Sequence, residues 1–235
     1  IQSILESEKV AYTHSGVLSS SLAIDKEISK EIFIKNNILT PSFIKYSFKK
    51  NSNIKNLKKK IDKHFKFPVV LKPINEGSSV GVYITNRNNL KKDLNKLEKF
   101  KEILIEKYIP GREIQAAIIG NKKLGIIELK PKRKFYDYKA KYSASARTEH
   151  IIPVNISKKN YNIVNSIAMK AHKLLKCRGV SRSDFRFYKN KFYLLELNTQ
   201  PGMTSLSLVP EIARYNKISF IQLIEKIIKD ASINK

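Results

Sequence analysis

The sequence predicts an α+β fold built as two subdomains, and three observations carry that prediction. Apolar strand-like runs crowd the middle of the chain, at residues 103–108, 113–119 and 124–130. A hairpin pattern follows at 183–198, turning near Lys189-Asn190. Helical periodicities at 25–37, 88–99, 161–176 and 219–230 mix with the strands without strict βαβ alternation. A doubly wound parallel sheet is therefore disfavoured. A natural division falls near residue 100.

Composition bounds the function. With 235 residues, 42% of them hydrophobic, the chain can build a substantial core and is not wholly disordered. No apolar run approaches the roughly 20 residues of a membrane span. The single cysteine, Cys177, excludes an internal disulfide framework and a Cys-rich zinc site. The net charge of +26 raises nucleic acid as a partner. However, 38 of the 46 basic residues are Lys, a skew expected of an AT-rich genome acting on exchangeable surface positions.

Taken in order, residues 1–10 read as the end of a helix, with no signal-peptide pattern and Ile at position 1. Asp25 is an N-cap for the helix at 25–37, where Ile24, Ile28 and Ile32 recur four apart. Thr40-Pro41 starts a new segment. Residues 49–66 are basic and Asn-rich, a loop entering a helix. Strands are expected at 67–72 and 80–84, around Asn75-Glu76-Gly77-Ser78-Ser79. Residues 131–153 show no period, and irregular segments this long are usually functional loops. The histidines (His14, His64, His150 and His172) show no metal-ligand spacing.

Four segments carry chemistry. In the hairpin, Arg182, Asp184 and Arg186 share one face of a strand, and Glu196 and Asn198 share a face of the next. A two-residue turn leaves Asp184 opposite Leu195; a one-residue bulge brings it opposite Glu196. Facing acids destabilise a sheet unless a cation lies between them. Two carboxylates and an amide oxygen suit Mg²⁺. The alternative is a solvated sheet face. Next, Lys72 ends an apolar strand before a Gly/Ser turn whose N–H groups and hydroxyls can cradle phosphate, or which is simply a turn. The strand ending in Glu106-Lys107 and resuming at Glu113 could offer an edge to a purine and a carboxylate to ribose. Finally, Asn198–Pro210 combines a Pro-Gly turn with hydroxyls that can hold a carboxylate, or that cap a helix.

In sequence order, Phe-Pro-Val-Val-Leu-Lys-Pro, Glu-Gly-Ser-Ser-Val-Gly, Ile-Glu-Lys-Tyr-Ile-Pro-Gly-Arg-Glu, Phe-Tyr-Asp-Tyr-Lys-Ala-Lys-Tyr, Arg-Ser-Asp-Phe and Leu-Glu-Leu-Asn-Thr-Gln-Pro-Gly-Met-Thr resemble the D-alanine–D-alanine ligases of the ATP-grasp superfamily. The resemblance implies an ATP-grasp fold with a remnant of a preceding domain at 1–11, a central subdomain at 12–102, and a C-terminal subdomain at 103–235 with a lid at 131–153. It implies that the family's N-terminal domain is absent, and that these residues alone have little ligase activity while still binding Mg·ATP. Lys26 and Lys72 would contact ATP phosphates, Glu106 the adenine amino group beside the backbone of Lys107 and Ile109, and Glu113 the ribose. Asp184, Glu196 and Asn198 would hold two Mg²⁺, with Mn²⁺ as a substitute. Arg182 would stabilise charge on the reacting acyl group, and Lys141 would reach the transferred phosphate. Ser78 and Tyr142 would share a hydrogen-bonded cluster, and Ser207, Leu208 and Gly202 would hold the second D-alanine. The same resemblance implies a cytoplasmic enzyme of peptidoglycan precursor synthesis, a homodimer when full length, with D-alanine and ATP as partners and no nucleic acid or membrane. Another ATP-grasp carboxylate–amine ligase is the alternative within the superfamily; a basic nucleic-acid-binding protein is the remote one.

Overall fold

A computed structural model describes residues 1–48, 53–130 and 148–233. The chain opens with α1 (Gln2–Ser7), α2 (Val17–Ile24) and α3 (Lys26–Lys35). Asp25 caps α3 by accepting from the Ile28 amide at 2.9 Å. A four-stranded antiparallel sheet follows, in the order β1-β4-β2-β3. Its strands are β1 (Phe43–Ser47), β2 (Val69–Pro73), β3 (Tyr83–Thr85) and β4 (Glu102–Lys107). Helices α4 (Ile54–His64) and α5 (Leu90–Asn95) bury Leu57, Ile61, Leu90 and Leu94 against its Val69, Leu71 and Ile105. Each such burial stabilises the fold by about 1.5–3 kcal/mol.

The second sheet is five-stranded, in the order β7-β6-β5-β8-β9. Its strands are β5 (Arg112–Ile119), β6 (Lys122–Lys130), β7 (Glu149–Ile151), β8 (Val180–Tyr188) and β9 (Lys191–Asn198). Helix α6 (Lys158–Leu174) packs Val164 and Ala168 in one core with Ile114, Ala116 and Phe185 of this sheet and Phe33 of α3. The alternate residues of β5 face the other way. There α7 (Leu208–Tyr215) and α8 (Phe220–Lys229) cluster with Ala117 and Ile127. The rest of that face forms the floor of the site.

Several expectations change. The strand expected at 80–84 shrinks to β3, because Ser78, Ser79 and Gly81 have left-handed backbone (φ 51°, 61° and 69°) and cannot extend a strand. β4 is paired on both sides, with β1 and with β2, so it is not an edge until the chain leaves it after Lys107. The expected division at 102/103 falls at the first residues of β4. Strands β1 and β7 and helix α2 had no clear signal in the sequence. The apolar repeat does not form the inner face of α3: Ile24 ends α2 and is exposed, Ile28 is exposed and Ile32 is partly buried, while Lys26, Lys30 and Phe33 are buried.

Candidate active site

The β8–β9 hairpin turns at Lys189 and Asn190, both left-handed (φ 48° and 58°), as a tight two-residue turn requires. From there Tyr188 pairs with Lys191 and Phe185 with Leu194. The register then shifts between Phe185 and Asp184, so Asp184 lies opposite Glu196 and Arg182 opposite Asn198. The bulge brings the two acids face to face, the outcome the sequence left open. On the neighbouring strand Gln115 is the register partner of Asp184, which makes a row of Gln115, Asp184 and Glu196 across β5, β8 and β9.

Opposed carboxylates need positive charge. Arg182 donates to both oxygens of Asp184, from Nε at 2.8 Å and Nη2 at 3.0 Å. Lys26 Nζ lies 3.8 Å from Glu196 Oε2 and also donates to the backbone carbonyls of Ile74 and Glu76. Lys26 thus ties the Gly/Ser turn to the acidic pair. Burial pushes its ammonium below the usual lysine pKa, with Glu196 opposing that shift. One turn further along α3, Lys30 is fully buried and reaches the other sheet. Its Nζ lies 2.6 Å from Thr40 Oγ1 and 3.1 Å from Glu106 Oε1. Lys72 Nζ meets the same Glu106 oxygen at 2.7 Å.

A cleft of about 1280 Å³ collects many of the expected residues. Lys26, Ser78, Arg182, Glu196 and Asn198 line one part of it. Gly202, Ser207 and Leu208 line another, where Ser207 Oγ accepts from the Thr204 amide at 3.1 Å. Asp184 lies behind Arg182, outside the lining. Lys72 and Glu106 are buried together in the four-stranded sheet, and the Lys107 amide donates to Ser42 O at 2.9 Å. Ile109 is buried, and Glu113 pairs with Arg186 at 3.3 Å. Lys141 and Tyr142 lie outside the described residues. Sequence reasoning missed Lys30, Gln115 and His150. The last lines the cleft and contacts Glu211 through Nδ1 at 2.7 Å. Lys30 had a signal, its i,i+4 spacing from Lys26.

The donor set fits a hard divalent cation. It consists of oxygens only, and the like charges of Asp184 and Glu196 face each other. Gln115 Oε1 in the same row is buried without a hydrogen-bond partner among the described residues. Among the described residues, no cluster of three His, Cys, Asp or Glu side chains offers a rival metal site. No described helix is long and apolar enough to cross a membrane.

Residues 33–229 match the family described as D-ala D-ala ligase C-terminus. The chain is 63% identical over 235 residues to the D-alanine–D-alanine ligase of Pelagibacter ubique, covering all of this chain and 77% of that protein. The D-alanine–D-alanine ligase of Bacillus anthracis is similar in structure, with a TM-score of 0.84 and 35% identity over 97% of this chain and 74% of that one. Its structure complexed with ATP gives a TM-score of 0.81 at 33% identity, covering 97% and 73%. Two antiparallel sheets, with a cleft between the five-stranded sheet and the Gly/Ser turn of the other, in a structure like that of the ATP-bound relative, define an ATP-grasp enzyme. Within that class the chain belongs to the D-alanine–D-alanine ligase family.

Proposed function

We propose that the protein joins two D-alanines at the expense of ATP, giving D-alanyl-D-alanine, ADP and phosphate for peptidoglycan precursor synthesis in the cytoplasm. The observation that carries this reading is the Asp184–Glu196 pair, with Glu196, Arg182 and Lys26 lining one cleft, in a chain 63% identical to a ligase of that name.

Forming an amide in water needs an activated carboxylate, and an acyl phosphate supplies one. Its formation demands positioning and charge neutralisation more than covalent help from the protein. In this reading the central subdomain, 12–102, and the C-terminal subdomain, 103–235, grip the nucleotide. Glu106 and the backbone from Lys107 to Ile109 hold the adenine, Glu113 the ribose, and Lys26 and Lys72 the phosphates. Asp184, Glu196 and Asn198 hold two Mg²⁺, which neutralise phosphate charge when bound. Arg182 turns from Asp184 toward the acyl oxygen as negative charge develops there. Ser207, Leu208 and Gly202 fix the carboxylate of the second D-alanine so that its amine faces the acyl phosphate. Lys141 would reach the transferred phosphate, Tyr142 and Ser78 would share a hydrogen-bonded cluster, and the expected 131–153 lid would exclude water that hydrolyses the intermediate. The protein works as a homodimer.

Phosphate release from Mg·ATP by the complete gene product measures the reaction. D-alanine should stimulate it and L-alanine should not. No stimulation by D-alanine overturns the assignment.

A further inference from the structure

Gln115 has no role in the scheme above, and its surroundings give it one. It stands in mid-strand in β5, is 1% exposed, and lines the cleft. Its Oε1 is buried and has no hydrogen-bond partner among the described residues. A buried amide oxygen without a partner costs about 1–3 kcal/mol. Apolar Val, Ile or Leu would sit in such a strand without that cost.

An orphaned acceptor needs a donor or a cation. Its row neighbour Asp184 is an acceptor, as is Glu196 beyond it, so neither can satisfy it. Arg182, the nearby donor to the row, gives two hydrogen bonds to Asp184. On the other side Gln115 pairs in register with Ile127, which offers no side-chain polar group. The row is thus three oxygen-bearing side chains on three adjacent strands, all directed to one face.

We propose that Gln115 is a further positioning residue for the divalent cation held by Asp184 and Glu196, its Oε1 accepting a hydrogen bond from a water molecule on that cation. Mg²⁺ and Mn²⁺ retain waters when bound by few carboxylates, and those waters are strong donors. The amide supplies an acceptor without adding a third negative charge to a row that already opposes two. The proposal rests on the metal reading of Asp184 and Glu196.

Mn²⁺ binding in the presence of ADP, followed by electron paramagnetic resonance, tests it without requiring turnover. Gln115→Met keeps length and packing and removes the acceptor. It should weaken Mn²⁺ binding about 10-fold, the cost typical of losing an outer-shell partner. Gln115→Glu restores an acceptor oxygen and should recover the affinity. Glu196→Gln is the control for the underlying reading. If that control binds Mn²⁺ like the unaltered protein, or the unaltered protein binds none, the metal reading fails and this proposal with it. If the control loses affinity while Gln115→Met does not, the Gln115 assignment alone is overturned. Failure of Gln115→Glu to recover binding also overturns it, because the loss would then reflect packing.

Discussion

Lys30 and Glu106 form a buried ion pair at 3.1 Å, with Lys30 fully inaccessible and Glu106 2% exposed. Lys72 joins the same carboxylate oxygen at 2.7 Å. The cluster therefore holds two cations against one anion. Helix α3 spans the two sheets through it: Lys26 meets Glu196 of one sheet, and Lys30 meets Glu106 of the other. If Lys72 moves to an ATP phosphate, Lys30 remains to hold Glu106.

The asymmetry of this cluster sets an order of stabilities. Glu106→Leu strands two buried ammonium groups, and breaking a buried pair from one side costs about 3–5 kcal/mol. Lys30→Met replaces a buried cation by an apolar chain of similar length and leaves Glu106 with Lys72, so its cost should be well below that. Urea denaturation of the two variants checks the order. Equal losses would mean that the ion pairs do not decide stability here.

Lys30 also predicts an alkaline trend. Burial lowers its pKa to about 8, while Glu106 pulls the other way. Between that value and the unfolded lysine value of about 10.4, the unfolded chain binds more protons, so this group's contribution raises stability as pH rises. The gain across that window is at most about 3 kcal/mol. Below pH 8 the cost of charging Lys30 is constant. The difference in unfolding free energy between the unaltered protein and Lys30→Met should rise from pH 8 to 10 and stay flat from pH 6 to 7.5.

His172 predicts a trend of the same sign at acid pH. It is 3% exposed, its Nδ1 lies 2.7 Å from Ser181 Oγ, and burial together with the nearby Lys173 lowers its pKa to about 4. Between pH 6.5 and 4 the unfolded state takes up a proton that the folded state refuses. Stability is therefore present above that window and falls through it, by about 3 kcal/mol at most. His172→Gln should flatten the slope relative to the unaltered protein. An unchanged slope would show that other groups govern acid unfolding.

The sequence made the hairpin chemistry legible because strand alternation puts Arg182 and Asp184 on one face and Glu196 and Asn198 on another. It left the bulge open, since register depends on packing around Phe185 and Leu194 that no local pattern specifies. Helix α3 shows the opposite limit. The Ile24, Ile28 and Ile32 spacing predicted this helix, though Ile24 ends α2, and two lysines occupy the inner face because acids from two distant strands meet them there. Tertiary pairing overrode hydrophobic patterning, as it does where a buried charge has a partner. The shortening of the second expected strand has a local cause. Consecutive left-handed residues at Ser78 and Ser79 outweigh the β propensity of Val80 and Val82.

Gly202 predicts a specificity effect. A methyl group added there would sit 3.0 Å from Ser207 Oγ, tighter than normal contact. In the proposed reaction that hydroxyl holds the carboxylate of the second D-alanine. Displacing it weakens one hydrogen bond, worth about 0.5–1.5 kcal/mol, or roughly three- to tenfold in binding. Gly202→Ala should raise KM for D-alanine by about that factor and leave KM for ATP unchanged. Equal shifts in both constants would argue for a general distortion of the cleft.

Glu196 predicts a separation of activity from stability. Its carboxylate faces Asp184 across the bulged hairpin and lies 3.8 Å from Lys26. Opposed acids cost a few tenths of a kcal/mol, and a loose ion pair returns a similar amount. Glu196→Gln removes both effects and keeps the shape, so stability should change by less than about 1 kcal/mol. Activity should fall by about 100-fold or more, because a neutral amide no longer balances the charge of the cation that neutralises the phosphates. Thermal denaturation of the protein without metal, set beside D-alanine-stimulated phosphate release, reads both quantities. Retained activity would refute the metal role of Glu196, whereas a large loss of stability would assign the residue to the framework of the sheet instead.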